Sequence, residues 1–428
     1  MDIASQLRTT GIAQVIVVLK QPRHLDSAGM AAVATAARGS YGRLSKNFRS
    51  SERSQESALL DAARTSGRLT GRSAAFAVRL ARKHPSVQSS RLYPNLGVVL
   101  GTVDTGGWAA LRGDSAVAKV LAVPEFSLIR PVDRVATTVP KKKMLTWGLK
   151  RLGIPQLWAQ GLTGKNVLLG HLDTGVDGKH PALRGAIASF AEFDFLGNQV
   201  PGAIAHDTDD HGTHTAGTIA GRTVKGVSFG VAPEATLASA IVIEGGNVIA
   251  RILGGMDWTV GQGVRVLSMS LGLRGFNASF LALTQLLRAR NILPVFAVGN
   301  EGPGTSRSPG NYPEALSVGA CDDHDNVAGF SSSQTFTRPK DPLVPDLVGP
   351  GVEILSCLPA NQYGLLSGTS MATPHIAGLC ALLIQAKPTI KVSKLEAAIF
   401  KASTLPPSMP QSRGNRGVPL GPKALALL

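Results

Sequence analysis

Val167-Leu-Leu-Gly-His-Leu-Asp-Thr-Gly-Val-Asp177 begins as a mostly apolar run and ends on an aspartate, a glycine and a second aspartate. A short apolar run closed by a turn signal reads as a strand buried on both faces, and such strands belong to parallel sheets. Four runs of the same kind follow at Ala235–Val242, Val264–Ser270, Leu293–Val298 and Ala315–Ala320. Among and after them, periodicity near 3.6 predicts helices around 211–221, 247–262, 277–291 and 370–386. Apolar strands alternating with helices predict an α/β fold, a doubly wound, mostly parallel sheet with helices on both faces. Ligands bind such sheets beyond the carboxyl ends of the strands, so the polar residues that end each strand are the first candidates for chemistry.

Upstream the pattern changes. Strands are expected at Ala13–Leu19, Leu96–Val103 and Ala118–Val123, with a short helix over Thr105–Asp114 and a longer helical stretch rich in Ala, Arg and Ser through much of 52–83. They outline a small α+β sandwich. Residues 131–150 carry Pro131, Pro140 and the run Lys141–Lys143 without sustained periodicity, which reads as a linker. The expected domains are 1–143 and 144–428.

The net charge of +16 is unevenly spread, with 22 Lys and Arg against 9 Asp and Glu in residues 1–143, and 22 against 19 in the rest. Such an excess attracts acidic partners. No nucleic-acid motif or interleaved aromatics accompany it, so the arginine-rich stretch is read as a solvated face and nucleic acid is not an expected partner. No window approaches the 18 to 20 apolar residues of a membrane span, and Met1–Arg8 lacks the layout of a signal peptide. The expectation is a chain without membrane contact, cytoplasmic or exported by another route. Cys321, Cys357 and Cys380 are odd in number and set among apolar neighbours, which argues against both a disulfide framework and a cysteine nucleophile.

Four polar groups end the strands or open the helices. Asp173 can accept from a histidine, or form a turn. His211 opens Asp210-His-Gly-Thr-His-Thr-Ala-Gly-Thr-Ile-Ala-Gly221, a helix of small residues. A metal reading competes there, because His211 and His214 share a helix face behind Asp207, Asp209 and Asp210. Against it, the carboxylates cluster in a loop and no further His or Cys lies at ligand spacing. Ser370, in Leu366-Ser-Gly-Thr-Ser-Met-Ala-Thr-Pro-His-Ile-Ala-Gly378, sits at a helix N-terminus, where free N–H groups and the macrodipole stabilise an oxyanion; a capping role is the alternative. Asn300 ends Phe296-Ala-Val-Gly-Asn300 and can donate to that oxyanion, or occupy a turn. Together the four supply a nucleophile, a base, an orienting acid and an oxyanion donor, the parts that acyl transfer requires.

These motifs, in this chain order, resemble those of the subtilisin family of serine peptidases. The similarity covers about residues 147–390, including Trp147-Gly-Leu149, Trp158-Ala-Gln-Gly-Leu-Thr-Gly-Lys-Asn-Val167 and Ser270-Leu-Gly272. It implies that Asp173, His211 and Ser370 are the catalytic triad, with Asn300 in the oxyanion hole. It implies that Ser270, Leu271, Gly272, Ala297, Val298 and Gly299 line the substrate cleft and pair with an extended peptide. The implied activity is that of a serine endopeptidase forming an acyl-enzyme on protein or peptide substrates, with no cofactor required. Structural calcium is common in the family, but no ligand set matches here, so no metal residue is assigned.

The resemblance also implies that residues 1–143 are a prodomain, an intramolecular inhibitor removed by self-cleavage near 130–147. Segment 96–129 has the rhythm of such prodomains, while the arginine-rich stretch 34–91 exceeds what a minimal one needs. Glu301 beside Asn300 suggests a preference for basic or polar side chains. Alternatives from other classes are a transamidating or macrocyclising relative, a metal-dependent hydrolase and an inactive binding protein. No lid-like insertion that would exclude water is evident between the motifs, and every catalytic position is filled.

Overall fold

The computed structural model describes residues 2–20, 27–49, 90–138, 143–194, 196–243 and 245–428, arranged in two units. The first comprises Met1–Glu125 with Phe193–Val200 and Val242–Gly261, the second Phe126–Glu192, Pro201–Ile241 and Gln262–Leu428.

In the first unit, Ala13–Leu19 (β1), Ser90–Tyr93 (β2), Val98–Val103 (β3) and Val117–Ala122 (β4) form an antiparallel sheet in the order β2-β3-β1-β4. The β-branched run of β1 explains its central place, since such side chains pack well on a pleated surface. Val15 and Val17 turn to one face, where Val99, Val103, Leu44 and Leu111 join them in a core. Helices among its described residues include Ile3–Thr10 (α1), Ser27–Leu44 (α2) and Thr105–Gly113 (α3). Asp2 caps α1 by accepting from Ser5 N at 2.7 Å, and Gly11 closes it in the left-handed region. The helix Val248–Gly261 belongs to this unit, where its Ala250 carbonyl accepts from the Tyr93 hydroxyl and Asp257 accepts from Leu96 N. The strands and short helix expected here are present; the helical stretch expected over 52–83 lies outside the described residues.

The second unit contains Ser127–Leu128 (β5), Asp133–Thr137 (β6), Leu168–Asp173 (β7), Ile187–Glu192 (β8), Thr236–Ile241 (β9), Val266–Met269 (β10), Leu271–Arg274 (β11), Leu293–Ala297 (β12), Leu316–Cys321 (β13), Leu347–Pro350 (β14), Ile354–Leu358 (β15) and Gln362–Ser367 (β16). Seven of these make one sheet, ordered β14-β13-β12-β10-β7-β9-β8, with every neighbouring pair parallel. This is the doubly wound α/β arrangement expected from the sequence. All five predicted strands are in it; β8 and β14, which were not predicted, form its two edges.

Its helices include His211–Ala220 (α4), Leu281–Ala289 (α5) and Thr369–Ala386 (α6). Helix α6 is buried from Thr369 to Ile384 and apolar all round from Ile376 to Ile384, as a helix crossing a domain interior must be. Leu379, Leu382 and Leu383 join Leu169, Val266, Val295 and Val318 in one core, each such side chain contributing roughly 1.5–3 kcal/mol on burial. Because the strands are parallel, Asp173, Met269 and Ala297 all lie at the carboxyl edge. The strand order reverses about β7, with β8 and β9 on one side and β10, β12, β13 and β14 on the other, so Asp173 ends a strand at the topological switch. No helix among the described residues is long and apolar enough to cross a membrane.

Candidate active site

Asp173 is the last residue of β7 and is 2% exposed. Thr174 N donates to its Oδ1 at 2.7 Å, and His211 Nδ1 lies 2.6 Å from the same oxygen. His211 is the first residue of α4, and Gly212 explains how the helix comes so near the strand. A Cβ on Gly212 would lie 2.1 Å from the Gly175 carbonyl oxygen, so only glycine allows the helix to start against the 173–175 turn. Gly212 N in turn donates to Thr174 Oγ1 at 2.9 Å.

Burial works to lower the pKa of His211, but the Asp173 charge and hydrogen bond win, with Asp207 and Asp209 adding to them, and the imidazole is raised above 6.5. Asp173 shifts the opposite way: burial opposes its charge, and His211 and Thr174 N outweigh it, holding it below 3.8. The ring is thus oriented through Nδ1. Its buried Nε2 has no hydrogen-bond partner among the described residues.

Gly368 is the N-cap of α6, which makes Ser370 the second residue of the helix and not its cap. The capping role falls to Asn300, whose Oδ1 accepts from Thr369 N at 2.9 Å and from Thr369 Oγ1 at 2.8 Å. That bond fixes the amide with Nδ2 turned to the linker, where it donates to the Arg130 carbonyl at 2.8 Å.

The linker runs across these groups. Ser127 and Leu128 pair with Gly272 and Leu271 of β11, and Ile129 N donates to Ser270 O at 3.1 Å. Ser370 Oγ donates to the Ile129 carbonyl at 2.6 Å. Val132 N then donates to Ser367 O, and β6 continues antiparallel along β16. Residues 127–137 therefore follow one strand edge up to Ser370 and another edge away from it. This is how an extended peptide adds itself to exposed strands.

Ser270, Leu271 and Gly272 thus meet an extended segment, supplied by the chain itself. Ala297, Val298 and Gly299 stand at the end of β12, where Val298 bonds Val318 and Arg307 and the Gly299 carbonyl accepts from Ser332 N. Glu301 spends its charge inside the domain: burial works to raise its pKa, but ion pairing with Arg307 prevails, and Arg274 lies 3.6 Å away. Arg307 Nη1 in turn donates to Ser127 Oγ at 2.8 Å and to Gly272 O at 3.1 Å. The group facing this part of the linker is therefore an arginine, and nothing at position 307 distinguished it in the sequence.

The acids considered for a metal are otherwise engaged. Asp207 accepts from Thr174 Oγ1, Thr213 N and Thr213 Oγ1 at 2.6–2.7 Å, so it caps α4 from the preceding loop while Asp210 holds the N-cap position. His214 turns away, its Nε2 donating to Ile354 O at 2.8 Å. Asp209 and Asp210 meet the linker instead, pairing with Arg130 at 3.2 Å and with Arg134. Burial opposes the Asp209 charge, but hydrogen bonds from Asp210 and Arg130 bring its pKa to about 2, while burial and the neighbouring Asp209 push Asp210 up to about 6. A second Asp-Thr-Gly, at 104–106 in the first unit, is a simple helix start: Asp104 Oδ1 accepts from Gly107 N at 2.7 Å. Cys321, Cys357 and Cys380 are buried thiols without disulfides, as expected.

The family model described as Peptidase_S8, subtilase family, matches residues 164–419, more than half of the chain and all four motifs. The chain belongs to the subtilase family. Among similar subtilases, Subtilisin-like protease PopC of Myxococcus xanthus (strain DK1622) is 38% identical over 263 residues, 54% of each chain. The Major intracellular serine protease of Bacillus subtilis (strain 168) is 37% identical over 244 residues, 55% of this chain and 74% of that protein. Subtilisin Savinase of Lederbergia lenta is 37% identical over 246 residues, 57% of this chain and 85% of that one. The matched part spans about half the length of PopC and most of that of the shorter subtilases.

Proposed function

We propose that the chain is a serine endopeptidase in which Asp173, His211 and Ser370 form the triad and Asn300 serves the oxyanion. The observation that carries this reading is the oriented, raised-pKa His211, its Nε2 unpartnered, in a cleft where a peptide segment lies with one carbonyl against Ser370 Oγ. Ser370 attacks the substrate carbonyl while His211 Nε2 takes its proton, and Asp173 stabilises the imidazolium. The Asn300 amide and the Ser370 backbone N–H, at the positive end of α6, receive the negative oxygen. His211 returns the proton to the leaving amine, and water completes hydrolysis by the same route.

The substrates are protein or peptide chains, and the first of them is the linker. Residues 1–143 act as a prodomain whose linker inhibits until it is cut. Ser370 Oγ bonds the carbonyl of Ile129 while Asn300 Nδ2 bonds the next one, Arg130. Acyl transfer needs nucleophile and oxyanion donor on one carbonyl, so a linker held in this register is an inhibitor first and a substrate second. The pairing of Ser127–Ile129 with β11 keeps the upstream side in place, and a turn of Arg130 out of the amide brings the Ile129 carbonyl to Asn300. Pro131, with no N–H and a fixed φ, resists the corresponding shift to the next bond. Cleavage is therefore expected between Ile129 and Arg130.

Intact mass and N-terminal sequencing of the purified chain, beside Ser370→Ala, test this. A new N-terminus at Arg130 in wild type alone is the expected result. An intact wild-type chain that digests an unstructured protein would overturn self-processing, and cleavage products joined to an added amine would replace hydrolysis by transamidation.

A further inference from the structure

Asp173 has two carboxylate oxygens, and the triad uses one. The other, Oδ2, lies 3.1 Å from Thr215 Oγ1. Thr215 stands four residues after His211 on α4, hence on the same helix face one turn on. One helix thus engages both oxygens, through His211 on Oδ1 and Thr215 on Oδ2. Behind Thr215 lies a second histidine. His171 precedes Asp173 by two residues in β7 and so points to the same side of the sheet. Its Nε2 is 2.8 Å from Thr215 Oγ1, and its Nδ1 is 2.9 Å from Oγ of Ser239, its direct cross-strand partner in β9. His171 is 1% exposed, and Thr215 and Ser239 are no more exposed.

The chemistry of the four groups gives this chain a direction. An ionised carboxylate only accepts, so Thr215 gives Asp173 its single proton and must accept from His171. That requires the neutral Nε2–H tautomer, which leaves Nδ1 to accept from Ser239. Burial lowers the His171 pKa to about 4, in keeping with a neutral ring. We propose that Ser239, His171 and Thr215 form a relay of donors that positions the Asp173 carboxylate and shares its charge, making His171 and Thr215 positioning residues for His211. The relay rests on the triad reading above. The competing acceptor for the Thr215 hydroxyl is the Gly212 carbonyl, also at 3.1 Å, and a hydroxyl spent there would leave Asp173 unaffected.

Thr215→Val keeps the shape and removes the hydroxyl. Asp173 then keeps only His211 and the Thr174 N–H as donors, so more of its charge bears on His211 and the acid limb of kcat/KM moves to higher pH. With the carboxylate less well held, kcat falls on the order of tenfold, the worth of one hydrogen bond to a charged group, while KM stays unchanged. The other ionisable groups about His211 are His171 beside Asp173, Asp207, Asp209 and Asp210 in the preceding loop, and His214 on α4; the substitution leaves their ionisation in place. Thr215→Ser restores rate and limb together. Wild-type kcat and limb in Thr215→Val, or Thr215→Ser as impaired as Thr215→Val, would overturn the relay.

A second measurement does not depend on activity or on the Val variant folding. In the full chain carrying Ser370→Ala and 15N-labelled histidine, the signal absent from a His171→Gln variant should report an Nε2–H tautomer that does not titrate above pH 5. An Nδ1–H tautomer, or a charged ring at pH 7, would overturn the relay even if the peptidase reading stands. Wild type without Ser370-dependent cleavage, together with the expected tautomer, would instead fault the peptidase reading.

Discussion

Helices α4 and α6 each carry a residue of the proposed triad in their first turn, yet their N-termini are finished in opposite ways. Asp207 caps α4 with a carboxylate, and Asp209 adds charge beside His211. A neutral amide, Asn300, caps α6. Carboxylates answer the positive end of the α4 dipole and favour an imidazolium at His211, the ion that the proposed mechanism forms there. The amide leaves the positive end of α6 uncompensated at Ser370, where the proposed mechanism develops negative charge. One end suits a cation and the other an anion, which is the polarity that the proposed acyl transfer requires.

Exchanging the caps gives the largest expected effect. Asn300→Asp keeps an oxygen for Thr369 N but puts a charge where the oxyanion forms and removes the Nδ2 donor. We expect kcat to fall by at least 10²–10³, a magnitude borrowed from a subtilisin and not obtained from this chain. The midpoint of thermal unfolding should hold or rise, since an acid at a helix N-terminus contributes about 0.3–1 kcal/mol. Retained activity would show that the α6 cap does not matter to the charge it faces.

The contrast also fixes the sign of the pH dependence. His211 must be neutral to take a proton, and its pKa is raised above 6.5, so kcat/KM should fall as pH drops through a value above 6.5. A profile flat down to pH 6 would contradict the role given to the α4 acids. Asp207→Ala tests the same end through stability. It removes the acceptor of Thr174 Oγ1, Thr213 N and Thr213 Oγ1, and chemical denaturation should register a loss of about 1–2 kcal/mol. A change within 0.5 kcal/mol, the usual range of indifferent surface substitutions, would remove Asp207 from the account. The smallest effect belongs to Asp210→Asn, which breaks the pair with Arg134. That arginine side chain is 57% exposed, so the pair contributes under about 1 kcal/mol and less in high salt. Linker cleavage should accelerate a few-fold at low ionic strength and match wild type at 1 M salt; no acceleration at low salt would free the linker from these pairs.

The parts of the molecule legible in the sequence are those whose cause is local. Central strands such as Leu168–Asp173 and Leu293–Ala297 are buried on both faces and read as apolar runs. The edges escaped for physical reasons: Ile187–Glu192 is mostly half-exposed and mixes Ser and Glu into its run, and Leu347–Pro350 is four residues long and ends in Gly-Pro. The proposed triad stood out through the company its members keep, such as the glycine that lets α4 start against the Asp173 turn. Ser370 was readable as a cap or a nucleophile, and only the Asn300 amide on Thr369 shows that the capping position is filled by another residue. The pairs Arg130–Asp209 and Thr215–Asp173 could not be read, because each joins segments 79 and 42 residues apart that only the sheet order brings together. Glu301 misled for the same reason, its partner Arg307 having no signature of its own.

The account stands or falls on Ser370. Purified wild type and Ser370→Ala should be compared with a fluorophosphonate probe and an unstructured protein substrate. Labelling and cleavage confined to wild type are expected, with loss of activity on the order of 10⁶-fold, again a magnitude borrowed from a subtilisin. Labelling and cleavage that persist in Ser370→Ala, or activity lost only to a chelator, would contradict it.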